Sequence, residues 1–373
     1  MNPNPVVLTD FQTILPLHHL DQASLIEWSA QRHGLIDGQR FEKIFHRYAV
    51  PSEKINERYF ECVDALHSPS VVDESLRNQL MYQHSESHPE GAGIDQRAQF
   101  FQHRANQIFA EFYPAAIAAP DHLIHVTCTG YVAPSAAQMR ARDWSQQTAV
   151  THAYHMGCYA ALPASRMALA FANTGDQNTR VDIVHTEMCS LHMNPANHTP
   201  EQMVVQSLFA DGHVKYSAVS ESKAKSGFRM LKFQEWILPD SSDDMSWVPA
   251  PWGMQMTLSR EVPAKIAAHL RPFIQKLAQD SGQNVSELLK NSTFAVHPGG
   301  PKIIDSVRET LELSHEQVSV SQKILRERGN MSSATLPHIW KEILESNPKS
   351  GTKVVSLAFG PGLTMFGALF EII

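Results

Sequence analysis

The chain has 373 residues, of which 43% are hydrophobic and 18% are charged. This balance is typical of a globular protein with a substantial buried core, and it excludes a disordered or fibrous chain. The formal net charge of −7 disfavours binding to nucleic acid or to an anionic membrane surface. An anionic ligand must therefore meet a local group of basic side chains.

The cysteines are far apart in the chain and form no CxxC pair; they are Cys62, Cys128, Cys158 and Cys189. The N-terminal residues lack the basic stretch and apolar core of a secretory signal. We therefore expect free thiols in a cytoplasmic protein.

The first third of the chain alternates a strand-like stretch at 6–15 with helical patterns at 25–32 and 97–112. A polar segment at 84–93 is typical of a surface loop. From residue 122 onward, short strands rich in Val and Ile alternate with helices, which predicts parallel β-α-β units. We predict an α/β fold of two halves, residues 1–225 and 226–373.

The last twenty residues, 354–373, are apolar enough to raise the question of a membrane span. Gly360, Pro361 and Gly362 interrupt them at the centre, where proline removes a backbone donor and glycine favours a turn. We predict two short buried strands and no membrane anchor.

Cys158 follows a strand-like segment and opens a helical run. A helix N-terminus offers free N–H groups and a partial positive charge, which lower the pKa of a thiol and can hold an oxyanion. A free cysteine is also among the residues that most often simply pack in a core. By itself, Cys158 could therefore be either a reactive thiol or a packed core residue.

His297 ends an apolar strand and precedes Pro298, Gly299 and Gly300, a position where α/β proteins often carry functional groups. Its imidazole could pair with a thiolate or donate to a developing oxyanion. Asn330 follows Gly329 and could cap a helix. Each residue therefore also has a purely structural interpretation.

Five ordered motifs join these residues into one pattern: GCYA (157–160), LFADG (208–212), HPGGPKIID (297–305), GNMSSA (329–334) and AFGPGLT (358–364). Together they resemble the type III polyketide synthases, the chalcone-synthase-like enzymes. The resemblance runs from about residue 120 to the C-terminus. It implies a thiolase-like layered αβαβα fold with duplicated halves, a homodimer, and acyl-CoA and malonyl-CoA substrates without a further cofactor.

The same resemblance implies roles for individual residues. Cys158 would carry the acyl group, while His297 and Asn330 would form the oxyanion site that drives malonyl decarboxylation. Phe209 matches an aromatic gatekeeper, and Met256 stands where relatives carry a second aromatic. The other implied substrate-binding residues are Cys128, Cys189, His192, Gly299, Gly300, Phe359, Gly360 and Pro361. Arg47 and Lys302 are the candidates for coenzyme A binding.

Two features depart from the family pattern. Ala358 replaces the first glycine of the GFGPG motif, and the replacements at Met256 and nearby cavity positions argue against an aromatic starter. We expect an aliphatic acyl-CoA starter and a pyrone or resorcinol-type product. Trp247 would narrow the cavity.

Three alternatives stay open on the sequence. A ketoacyl synthase III would use the same three residue types with an acyl carrier protein. A papain-like hydrolase shares the order of cysteine, histidine and asparagine. A non-catalytic acyl-binding protein could retain the fold. A metal site is not expected, because no pair among His152, His155, His185 and His192 has a recognised ligand spacing with acidic partners.

Overall fold

The computed structural model describes residues 5–70, 79–83, 85–144 and 147–373. Within these ranges the strands are β1 (Val6–Ile14), β2 (His18–Asp21), β3 (Glu57–Phe60), β4 (His122–Thr127), β5 (Ala149–Tyr154), β6 (Val181–Met188), β7 (Asp211–Ser220), β8 (Phe228–Ile237), β9 (Met245–Ala250), β10 (Gly253–Leu258), β11 (Thr293–Val296), β12 (Lys353–Gly360) and β13 (Thr364–Ile372).

The helices in the same ranges are α1 (Gln22–Asp37), α2 (Gln39–Tyr48), α3 (Ile94–Phe112), α4 (Ala136–Arg142), α5 (Ala161–Thr174), α6 (Pro200–Leu208), α7 (Val262–Asp280), α8 (Val285–Asn291), α9 (Pro301–Leu311), α10 (His315–Arg328) and α11 (Thr335–Glu345). Of the polar segment at 84–93, residue 84 lies outside the described residues. The remainder contains no strand and leads into α3.

Nine strands form one mixed sheet in the order β11-β12-β13-β8-β1-β7-β6-β4-β5. The first half of the chain supplies five of these strands and the second half supplies four. The two groups meet where β1 pairs with β8, at Leu8 and Phe228. The proposed boundary near residue 225 lies just before β8.

The expectation of parallel β-α-β units is only partly correct. Strand β4 runs parallel to β5 and β6, and β11 runs parallel to β12. The strands between these groups are antiparallel. A continuously apolar strand is typical of either direction when both faces are buried, so the sequence pattern did not distinguish them.

Helices α5 and α11 form the central layer of the fold. Ala164 of α5 and Trp340 of α11 are fully buried in one core with Ile124 of β4 and Phe366 of β13, so this layer packs on strands from both halves. Helix α3 covers the first group of strands, and α7 covers the second group. The result is the layered αβαβα arrangement expected from the sequence.

The apolar C-terminal segment forms the antiparallel pair β12 and β13, which confirms the prediction of two buried strands. The register runs from Lys353 opposite Glu371 to Gly360 opposite Thr364. Across the part of the chain that is described, no helix is long and apolar enough to cross a membrane.

Candidate active site

Two cavities meet at Phe209 and Met256, which line both of them. The larger cavity has a volume of about 760 Å³, and Cys158 and Asn330 lie in its wall. The smaller cavity has a volume of about 90 Å³ and is mainly apolar. Phe209 and Met256 therefore occupy the boundary between an outer and an inner compartment.

Cys158 lies in a 3₁₀ turn, Gly157–Tyr159, that leads directly into α5. Gly157 has a φ of 76°, which favours glycine, and a Cβ there would lie 2.8 Å from Cδ of Pro361. A Cβ on Gly360 would overlap the ring of Tyr159. The FGPG loop thus packs directly against the cysteine turn and requires small residues on both sides.

The Cys158 thiol is protonated in this environment. Burial raises its pKa to about 12, and the hydrogen bond from its neighbour Ser332, whose Oγ lies 3.8 Å from Sγ, opposes this shift only in part. The helix N-terminus was expected to lower the thiol pKa. That expectation is wrong, because desolvation of the buried thiolate outweighs the favourable dipole.

Asn330 is fully buried, and its backbone joins the segment that carries Phe209. Its N–H donates to the carbonyl of Leu208 at 3.0 Å, and its carbonyl accepts from Ala210 at 2.8 Å. Its side-chain Oδ1 accepts from the backbone N–H of Ser332 at 2.9 Å. This bond identifies Oδ1 as the oxygen and leaves Nδ2 as the free end of the amide.

The Nδ2 group of Asn330 has no hydrogen-bond partner among the described residues. The amide lies close enough to the sulfur of Cys158 to favour the thiolate and so to lower the pKa of the thiol, although no bond to Nδ2 meets hydrogen-bond geometry. Asn330 therefore stabilises a local turn through its oxygen and does not cap a helix, because the N-cap residue of α11 is Ala334. Its nitrogen remains available to a ligand.

His297 follows β11, where its backbone N–H donates to the carbonyl of Leu357 at 2.8 Å. The side chain is only 1% exposed, and neither ring nitrogen has a partner in the described ranges. Burial lowers its pKa to about 3, so the imidazole is neutral near pH 7. The next residues along the chain, Gly299 and Gly300, line the larger cavity.

The inner cavity has rigid walls on one side. Trp247 lies directly opposite Met256 in the β9–β10 pair and donates from Nε1 to the carbonyl of Cys128 at 2.6 Å. His192 contacts the Trp247 ring edge-on, donates to the carbonyl of Thr129 at 2.8 Å and accepts from a backbone N–H through Nδ1. Both nitrogens of His192 are thus engaged within the protein.

The other predicted substrate-binding residues divide between the cavity walls and the layer behind them. Cys189 lines the inner cavity, and Phe359 lines the outer one. Gly360 and Pro361 support the cysteine turn from behind. Cys128 lines neither cavity, and its sulfur lies 3.0 Å from Oγ of Ser332.

Basic side chains gather at the outer cavity. Arg47 and Lys302 both line it, and sequence reasoning missed Lys54 and Arg260, which line it as well. All four are exposed, and only Lys54 approaches an acidic group of the same cavity, Asp305, at 4.0 Å. Lone cations carry no local sequence signal, so only the fold brings these four together.

Sequence reasoning also missed Glu187. This fully buried carboxylate accepts from the backbone N–H of Cys128 at 3.1 Å and from the hydroxyl of Thr129 at 2.8 Å. Burial raises its pKa. In the described ranges, no group of three or more His, Cys, Asp or Glu side chains is arranged to hold a metal ion.

Comparison with known proteins identifies relatives of this chain. Residues 230–373 match the family model for the C-terminal domain of chalcone and stilbene synthases. The chain is 29% identical over 263 residues to type III polyketide synthase C of Arabidopsis thaliana, covering 67% of both chains. It is 28% identical over 247 residues to the 1,3,6,8-tetrahydroxynaphthalene synthase of Streptomyces coelicolor, covering 65% of this chain and 64% of the relative.

The fold also matches solved structures along its whole length. The crystal structure of PKS-I from the brown alga Ectocarpus siliculosus superposes with a TM-score of 0.86 at 19% identity, with complete coverage of both chains. The resemblance to the type III polyketide synthases is confirmed: residues 230–373 match the C-terminal domain of the chalcone and stilbene synthases, and the relative from Arabidopsis thaliana is a type III polyketide synthase.

Proposed function

We propose that this protein extends an acyl-CoA starter with malonyl-CoA units by decarboxylative Claisen condensation, with Cys158 carrying the acyl chain. The observation that carries the proposal is the free Nδ2 of Asn330 beside Cys158. A buried donor without a protein partner is costly unless a ligand uses it, and an enolate oxygen is such a ligand.

The proposed reaction uses two neutral donors. Loss of CO2 from malonyl-CoA leaves the electron pair of the broken C–C bond in a thioester enolate, whose oxygen Asn330 and His297 stabilise. Because the pKa of His297 is about 3, its imidazole donates a hydrogen bond without readily protonating the carbanion. The enolate carbon then attacks the acyl thioester, the C–S bond breaks, and the sulfur of Cys158 leaves as thiolate.

The thiol must lose its proton before it can be acylated. Its pKa of about 12 makes this step unfavourable near pH 7. We propose that His297 takes this proton, since a neutral imidazole can pair with a thiolate. We propose that an incoming thioester and its oxyanion contacts lower the cost of forming the thiolate.

Coenzyme A thioesters fit the outer cavity better than a free acyl chain does. Arg47, Lys54, Arg260 and Lys302 place four positive charges along a cavity of about 760 Å³. Phosphate groups require cations of this kind at a tunnel mouth. An acyl carrier protein could present the same phosphopantetheine arm. Measuring the CoA ester and the carrier-bound ester side by side as substrates would distinguish the two.

The inner cavity supports a short product. A volume of about 90 Å³ holds about three water-sized groups. Hydrogen bonds to the backbone hold Trp247 and His192 in place, so these side chains do not move readily to enlarge the cavity. We propose a small aliphatic starter, few malonyl additions and release as a pyrone, with a resorcinol-type product as the alternative ring closure.

We also propose that the protein acts as a homodimer. Strand β5 lies at one edge of the nine-stranded sheet, so no other strand of the described residues pairs with its outer side. Exposed edges of this kind readily pair with a second chain. The molar mass measured by light scattering would distinguish a dimer from a monomer.

The test of the reaction separates decarboxylation from acyl transfer. Purified protein is incubated with malonyl-CoA, and CO2 release is measured for the unaltered chain, Cys158→Ala and His297→Gln. We expect release to persist in Cys158→Ala and to vanish in His297→Gln. Absence of CO2 from the unaltered protein with every starter would reject the proposal.

A further inference from the structure

Arg58 is a buried cation in the wall of the inner cavity. It lies on β3, is 6% exposed, and makes no ion pair with any carboxylate of the described residues. Burial lowers its pKa only to about 10, so the guanidinium remains charged near pH 7. An unpaired charge in such a position is costly and requires an explanation.

Two of its three nitrogens have protein partners. Nε donates to Oε1 of Gln22 at 2.7 Å. Nη1 donates to the carbonyls of Gln206 at 2.9 Å and Phe209 at 2.8 Å. Because Phe209 lies at the boundary of the two cavities, these bonds place the guanidinium directly behind that boundary. Nη2 has no hydrogen bond within the described residues.

Acidic groups near Arg58 do not satisfy Nη2. Asp211 is the carboxylate whose charge acts on Arg58, but it accepts from the backbone N–H groups of Glu61 and Ser190, both at 2.7 Å. Asp64, in the cavity wall, accepts from the backbone N–H groups of residues 81 and 82. Both carboxylates are engaged elsewhere.

The remaining nitrogen-bearing side chains of the described wall each donate already to a backbone carbonyl. They are Trp28, His192, Gln202, Gln206 and Trp247. Arg58 is therefore the charged donor that this part of the structure leaves open to a ligand in a mainly apolar compartment.

We propose that Arg58 anchors the growing chain in the inner cavity, where Nη2 donates to a keto or enolate oxygen of the poly-β-keto acyl group. The inference rests on the proposed function, since each condensation turns the previous thioester carbonyl into a keto group that lies two carbons further from the thioester sulfur. A chain that passes Phe209 brings such an oxygen to the guanidinium. A plain hydrocarbon chain offers no acceptor and leaves Nη2 unpaired.

The experiment compares two thioesters of N-acetylcysteamine with equal carbon length, 3,5-dioxohexanoyl and hexanoyl. Acylation of Cys158 is followed by intact-protein mass spectrometry, which requires no malonyl-CoA. For the unaltered protein we expect the dioxo chain to react with kcat/KM about tenfold higher than the hexanoyl chain, after correction for their rates with a small free thiol.

Arg58→Lys is the informative variant, and Arg58→Gln serves if the lysine variant does not fold. Arg97→Lys is the matched control, because Arg97 is also buried and donates to backbone carbonyls but lines neither cavity. We expect the tenfold preference to fall to about one in the Arg58 variants and to persist in Arg97→Lys.

The outcomes separate this inference from the proposed function. Acylation by both thioesters without a preference in the unaltered protein would overturn the role of Arg58 while leaving Cys158 as the nucleophile. Equal slowing of both thioesters in Arg58→Lys would also overturn it and would show that Arg58 only positions Phe209. Failure of both thioesters to acylate Cys158 would instead reject the proposed function.

Discussion

Replacing Asn330 by Asp changes one atom in the site while keeping the local turn. Oδ1 of the aspartate can still accept from the backbone N–H of Ser332, which is 2.9 Å away in the native chain. The second oxygen takes the place of Nδ2, which has no protein partner among the described residues. The variant therefore removes the proposed enolate donor without removing a known structural hydrogen bond.

The expected loss of decarboxylation rate follows from removing one hydrogen-bond donor to the enolate oxygen. Removing a single oxyanion-hole donor typically costs a factor of about 10² to 10³ in rate, or about 3 to 4 kcal/mol. An ionised carboxylate would in addition repel the enolate. Buried acids nearby have raised pKa values, about 6 for Asp64 and about 7 for Asp211, so the assay belongs at pH 8 to 8.5, where the new acid is largely ionised.

The assay is CO2 release from malonyl-CoA in a Cys158→Ala background, so that acyl transfer does not contribute. Asn330→Ala is measured in parallel, because it removes both ends of the amide. We expect both variants to lose at least a hundredfold in kcat/KM while circular dichroism shows a folded protein. Release within threefold of the parent in folded Asn330→Asp would refute the assigned role of Nδ2.

Three further outcomes test other parts of the structure. Trp247→Ala should enlarge the inner cavity and shift the products, measured by mass spectrometry, toward chains with more malonyl units; an unchanged product mass would contradict the limit set by this indole. Gly360→Ala should reduce acylation of Cys158 more than tenfold, because its Cβ overlaps the Tyr159 ring; Gly34→Ala in α1 is the control, because Gly34 also has no positive φ and its Cβ meets only the flexible side chain of Glu42, at 3.3 Å. The free energy of unfolding should fall as the pH drops from about 6.5 toward 4, because the histidines bind protons in the unfolded chain but stay neutral when they are buried. Each buried histidine contributes up to about 1.4 kcal/mol per pH unit to this fall. These histidines have pKa values lowered by burial to about 3 or 4, and they are His33, His125, His192, His297 and His338. Urea midpoints that do not change between pH 7.5 and 5.5 would contradict their burial as neutral groups.

The sequence identified the elements and motifs that depend on local pattern. The strand and helix around Cys158, the turn after His297 and the interrupted C-terminal strands all follow from residue spacing and from glycine and proline. The order of the motifs then supplied the family and the layered fold. These features required no knowledge of distant contacts.

Other features depend on residues far apart in the chain. The pKa of Cys158 is raised because remote segments bury the thiol, and local helix reasoning predicted the opposite direction. Arg58 contacts Phe209 across 151 positions, and no motif links them. The cations Lys54 and Arg260 likewise share a cavity only in the folded chain. Burial and long-range pairing were the information that a single sequence lacked.

The central claim is that Cys158, and no other cysteine, carries the acyl group that malonyl-CoA extends. Peptide mapping by mass spectrometry after incubation with a short aliphatic acyl-CoA tests it directly. We expect the acyl mass on the peptide that contains Cys158, absent in Cys158→Ala and released as an extended product when malonyl-CoA is added. Labelling of Cys62, Cys128 or Cys189 instead, or an adduct that malonyl-CoA never extends, would contradict the claim.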